Sequence, residues 1–158
     1  MLRLLRYNYK PKNEQLDMNK ALIIHHSKTG TTKKFGTEIA EFCKQKGIEA
    51  KVVSIDEFNQ RELMKVEYLF LGCWTQGYFV FNQQPDKKWV EFANQLPVIN
   101  NKQVVLFTTY KIATGSMFRK MKERLKCDSK FIKLELKSRN GKMNESGLDL
   151  LATTLNKK

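Results

Sequence analysis

The hexapeptide Ser27-Lys28-Thr29-Gly30-Thr31-Thr32 sets four hydroxyls around one glycine. An apolar run, Ala21–His26, precedes it, and a segment with helical spacing follows, so the hexapeptide opens a helix. Hydroxyls, a glycine that lets the backbone come close, and the free N–H groups of a helix start together suit a phosphate. An ordinary Thr-rich helix cap would use the same residues. The chain has neither G-x-x-x-x-G-K-[ST] nor G-x-G-x-x-G, so the loop is not a nucleoside-triphosphate cradle or a dinucleotide fingerprint.

Two further loops each set an aromatic residue beside threonine and glycine. One is Gly72-Cys73-Trp74-Thr75-Gln76-Gly77-Tyr78; the other is Thr108-Thr109-Tyr110-Lys111-Ile112-Ala113-Thr114-Gly115-Ser116. Trp74 and Tyr110 could each stack on a ligand or simply pack at a strand end, and Ser116 or Thr114 could simply cap the next helix. Other chemistries lack their parts. His25 and His26 are adjacent in an extended run, so they point to opposite faces and cannot share a metal. The chain offers no nucleophile elbow for a Ser/His/Asp triad, no Cys followed six positions later by Arg, and no Asp at the third strand's end for phospho-transfer. Cys43, Cys73 and Cys127 form no C-x-x-C and read as free thiols of a reducing compartment.

These loops need a scaffold, and the hydrophobic pattern describes one. Strands are expected at Ala21–His26, Ala50–Ile55, Tyr68–Trp74, Gln103–Tyr110 and Phe131–Lys137. Helices are expected after Thr32 as far as Gly47, near Asn59–Lys65, at Asp86–Leu96, at Ser116–Lys126, and from Asn144 or Ser146 through Leu155. A long loop is expected between Trp74 and Pro85. Strands that alternate with helices imply right-handed crossovers and a parallel sheet covered on both faces, the α/β class. In such sheets ligands sit at the carboxyl ends of the strands, where all three loops fall.

With the loops and the rhythm in place, the chain resembles the flavodoxin family. That family's first loop reads [ST]-x-T-G-x-T after an apolar strand, and Ser27, Thr29, Gly30 and Thr32 stand at its four defined positions. The likeness runs from about Ala21 to Leu155. It implies a flavodoxin-like three-layer sandwich with a five-stranded parallel sheet in the order 2-1-3-4-5, the arrangement for which flavodoxin is the standard example. It also implies one non-covalently bound FMN. Ser27, Lys28, Thr29, Gly30, Thr31 and Thr32 would hold its phosphate. Trp74 would stack on one face of the ring, with Tyr78 as a weaker alternative, and Tyr110 on the other. Thr75, Gln76 and Gly77 would approach the N5 edge, and Thr108, Thr109 and Gly115 would belong to the third loop of the site.

Charge departs from the family pattern. The chain carries 29 Lys+Arg against 16 Asp+Glu, a net of +13, and residues 111–142 alone hold eleven basic and three acidic side chains. Acidic residues expected beside the flavin are replaced by Phe79-Val80-Phe81 and Asn82-Gln83-Gln84. The electron partner is therefore expected to be an acidic or apolar redox protein, or a small acceptor. An electron carrier is the main reading. The alternatives are an FMN-dependent oxidoreductase acting on a quinone or porphyrinogen, and a cofactor-free basic interaction module. No specific nucleic-acid site is expected, since stacking aromatics do not interleave the charges. Residues 1–17 read either as an appended leader or as a loosely docked arm before a domain at 18–158, and no run is long enough for a membrane span. A cytoplasmic location is expected.

Overall fold

A computed structural model describes residues 19–156, so the expected leader at 1–17 lies outside the described residues. The elements in chain order are β1 (Lys20–His26), α1 (Thr31–Gln45), β2 (Glu49–Ser54), β3 (Tyr68–Tyr78), β4 (Phe81–Pro85), α2 (Lys87–Gln95), β5 (Gln103–Thr109), α3 (Met117–Arg124), β6 (Ile132–Ser138) and α4 (Glu145–Asn156). Short 3₁₀ turns occupy Gln60–Lys65 and Ser129–Phe131. The five parallel strands run in the order β2-β1-β3-β5-β6. Counted among the parallel strands alone, that is the order 2-1-3-4-5.

Strand parity sorts the core into two layers, because successive side chains point to opposite faces of a sheet. Leu22 and Ile24 of β1, Leu69 and Leu71 of β3, and Leu106 of β5 pack against Trp89, Ala93, Met117 and Met121 of α2 and α3. Their odd or even neighbours Ile23, Phe70, Val105 and Phe107 pack against Phe35, Ile39 and Leu151 of α1 and α4. Both faces of the sheet are covered, which explains the near-continuous apolar runs of the central strands. Asn144 starts α4, its Oδ1 accepting from the Gly147 N–H at 2.8 Å.

One element differs from expectation. Residues 75–85 form a hairpin instead of a loop: β3 runs on to Tyr78, and β4 returns antiparallel to it, pairing Gln76 with Gln84 and Tyr78 with Phe81. The central sheet pairs β3 with β1 only as far as Cys73, and with β5 only as far as Trp74. Residues 75–78 therefore carry the hairpin roughly 13 Å past the sheet's carboxyl edge at strand rise. Its turn is Phe79-Val80, with Phe79 at φ +53°, a conformation usually given to Gly or Asn. Lacking a turn dipeptide, the hairpin had no signal in the pattern. Two smaller shifts follow from local bonding. α3 ends at Arg124, because the chain beyond it turns to bridge Cys127 to Ile99. Phe131 joins a 3₁₀ turn started by Asp128, so β6 begins at Ile132.

Candidate functional site

The loops after β1, β3, β5 and β6 meet at one end of the sheet around a cavity of about 400 Å³. That is within the usual range of cofactor sites. Of the expected site residues, Lys28, Thr29, Thr31, Trp74, Thr75, Gln76, Gly77, Thr109 and Tyr110 line it. Ser27, Gly30, Thr32, Thr108 and Gly115 do not, although each lies in a loop, a strand end or the first turn of α1 beside it.

Hydrogen bonds place four of those five, and packing places Gly115. Ser27 Oγ accepts from the Gly30 N–H at 3.0 Å and so closes the loop on itself. Gly30 takes φ +92°, and nothing lies within 4 Å of where a Cβ would stand. Thr32 is buried, its hydroxyl 2.6 Å from that of Thr109, and it clips α1 to β5. Thr108 donates to the Cys73 carbonyl at 2.7 Å and lies 2.8 Å from the Thr75 hydroxyl, which joins β5 to β3. Gly115 packs against Gln83 of the hairpin.

The residues suit an anion with a planar body. α1 begins at Gly30 with no side-chain hydrogen bond capping it and no acidic residue in its first turn. Its first N–H groups are therefore free for a phosphate, and the helix dipole favours one. Three cations, Lys28, Lys111 and Arg139, line the cavity and no carboxylate does. Two of them lie on the aromatic faces: Lys28 Nζ is 4.9 Å from the Trp74 ring centre, and the Arg139 guanidinium is 5.5 Å from that of Tyr110. Trp74 Nε1 and Gln83 Oε1 are buried without a hydrogen-bond partner. The donor set fits a phosphorylated flat ring system.

Phe79, Gln83, Lys111, Ile112, Ala113 and Arg139 also line the cavity; the sequence reading assigns none of them a binding role. Arg139 follows β6, and it reaches the site because β6 lies next to β5. Gln83 is placed by the hairpin, its Nε2 donating to the Phe79 carbonyl and its own carbonyl accepting from Ser116 Oγ at 2.9 Å. His26 stands just before the first loop, its Nε2 2.8 Å from Asp86 Oδ1. Asp86 also caps α2 by accepting from the Lys88 N–H at 2.9 Å, so the pair fixes the start of α2 against the end of β1. His25, on the opposite face, is buried. Among the described residues, no three His, Cys, Asp or Glu side chains gather as a metal site. A larger groove, about 630 Å³, lies at the other end of the sheet beside Leu63, Met64 and Val98, away from the hydroxyl-rich loop.

Comparison with known proteins bears on the fold and the family. The family model described as a flavodoxin domain matches residues 22–147. A flavodoxin of Clostridium beijerinckii is 28% identical over 103 residues, covering 65% of this chain and 73% of that protein. In structure, the chain is similar to two-electron reduced Megasphaera elsdenii flavodoxin, with a TM-score of 0.67, 20% identity, and coverage of 85% and 96% of the two chains. It is also similar to a short-chain flavodoxin associated with a bacterial microcompartment, with a TM-score of 0.64, 12% identity, and coverage of 87% and 94%. The chain belongs to the flavodoxin family, the FMN-binding electron carriers. Neither the small-acceptor oxidoreductase nor the cofactor-free module is favoured by this membership. No helix among the described residues is long and apolar enough to cross a membrane.

Proposed function

We propose that Thr29, Thr31 and the N–H groups opening α1 hold the FMN phosphate, while Trp74 and Tyr110 flank the ring and Gln76-Gly77 border its redox-active edge. The observation that carries this reading is that one cavity gathers all of these groups and lacks any carboxylate. Bound FMN supplies the one- and two-electron chemistry that no side chain of the protein offers. The protein's part is placement and field. The hydroxyl pairs Thr32–Thr109 and Thr75–Thr108 lock the strand ends from which the loops project. The two aromatic faces exclude water from the ring, and Lys28, Lys111 and Arg139 favour added negative charge in the cavity. The physiological partner is a redox protein or small acceptor with acidic or apolar character, met in the cytoplasm.

The test compares FMN with riboflavin, which lacks the phosphate, by quenching of flavin fluorescence. FMN is expected to bind more tightly. Thr29→Ala should weaken FMN by about tenfold to a hundredfold, the worth of one charge-assisted hydrogen bond, and leave riboflavin unchanged. Equal affinity for the two flavins in the parent protein would show that the loop is only a helix cap.

A further inference from the structure

The hairpin tip Tyr78-Phe79-Val80-Phe81 is the most concentrated apolar surface of the described residues, with side chains 74%, 59%, 54% and 70% exposed. Turn chemistry does not call for these residues. A two-residue turn is best made with Asn or Gly, and Phe79 instead takes a left-handed conformation that strains a large side chain. A contiguous exposed apolar patch on a folded domain marks a contact surface.

Charge identifies what this surface meets. No charged residue occurs from Tyr68 through Pro85, so the tip itself is neutral. Around it the field is positive. Ser116 at the start of α3 is bonded to β4, and Lys111 and Arg139 share the cavity mouth with Phe79. The three carboxylates of residues 111–142 are each paired with a base of the same stretch: Glu123 with Arg119, Glu135 with Lys122, and Asp128 with Lys130. Eight bases of that stretch therefore have no carboxylate partner within it. An aromatic centre within a charged rim is the anatomy of a protein–protein contact. Exposed amides on the same hairpin, Gln76, Asn82 and Gln84, suit a protein surface, and burying them in lipid without partners would be costly.

We infer that the Tyr78–Phe81 hairpin and its basic surround are the docking surface for an acidic redox protein that presents an apolar recess within a carboxylate rim. This rests on the reading that the adjoining cavity holds FMN, because docking here brings the partner to the cofactor's edge. The aromatic tip supplies short-range affinity, and the lysines and arginines steer the encounter.

The experiment first loads the protein with FMN and measures its Kd, then titrates it calorimetrically with three probes. These are an acidic [2Fe–2S] ferredoxin, the basic cytochrome c, and vesicles of phosphatidylcholine with phosphatidylserine. The ferredoxin should bind, and its Kd should rise at least about tenfold between roughly 20 and 200 mM salt. Val80→Ser combined with Phe81→Ser should weaken the ferredoxin about tenfold at both salts. The same variant should keep the parent's FMN Kd and melting temperature, since neither side chain lines the cavity or is buried. Four results would overturn the inference: no ferredoxin binding, unchanged binding in the variant, tighter binding of cytochrome c, or tip-dependent binding to vesicles instead of the ferredoxin. Failure to take up FMN at the first step would retire the reading beneath it instead, so the two failures are told apart.

Discussion

Gly72 shows how closely single residues are constrained near the site. A Cβ built there would lie 2.1 Å from the Phe107 ring, in the centre of the α1 face of the sheet. Gly72→Ala must push a fully buried ring against Phe35, which it meets edge-on at 5.7 Å. The expected cost is about 1–3 kcal/mol by urea denaturation, and adding Phe107→Leu should recover part of it. The thiols give a second residue-scale prediction. Burial pushes Cys43 up to about 12 and raises Cys73 further, whereas Cys127 is raised less and is partly exposed. An aromatic disulfide reagent at pH 8 should modify Cys127 first and leave the other two until the protein unfolds. Rapid reaction of two thiols in the native state would contradict the packing.

At the scale of elements, the hairpin and α3 are joined by Ser116, whose hydroxyl serves β4 instead of capping its own helix. Sequence reasoning assigns such a serine to the cap, because the local bond costs least entropy. Here the backbone of α3 starts without it, and the long-range bond wins. Ser116→Ala should therefore raise amide exchange in β4 more than in α3, with a global loss of only about 0.5–1.5 kcal/mol. Uniform loosening of α3 instead would make Ser116 a cap after all. The parallel strands were legible because buried runs such as Leu22–Ile24 and Val104–Phe107 are apolar on both faces. The hairpin was not, because Tyr78–Phe81 is an apolar run with no alternation and no turn dipeptide.

Two predictions concern the whole molecule. His25 is held below its ordinary value of 6.5, first by burial and then by the charge of Lys33. The unfolded chain therefore binds a proton near pH 6.5 that the folded chain refuses. Stability from this group is complete above 6.5 and declines as pH falls through 6.5 towards the lower folded value. Denaturation midpoints at about pH 7.5 and 5.5 should differ more in the parent than in His25→Asn. The second prediction follows from the net charge of +13. A positive field favours the reduced flavin's added negative charge, so it makes the potential less negative. Raising salt from about 0.01 to 1 M shortens the screening length from ~30 to ~3 Å and should lower the potential. Each tenfold of lost preference for the reduced form corresponds to about 30 mV for two electrons. A potential insensitive to salt would remove the field from the account.

The α/β class could be read from the chain alone and the parallel order from its family pattern, and three loops stood out as candidate places for a phosphate and a flat ring. Those properties reside in local composition: apolar runs, helix starts, and a glycine at position 30, where the first loop takes positive φ. Which hydroxyls face inward depends on packing between distant elements. Thr32 is 77 positions from Thr109, and their 2.6 Å contact exists because α1 packs on the face of β5 that odd-numbered side chains share. Tertiary structure also decided that Arg139 joins the cavity and that Phe79 to Phe81 project beyond it. Strand adjacency and strand length set those positions, and both depend on pairings between residues far apart in the chain.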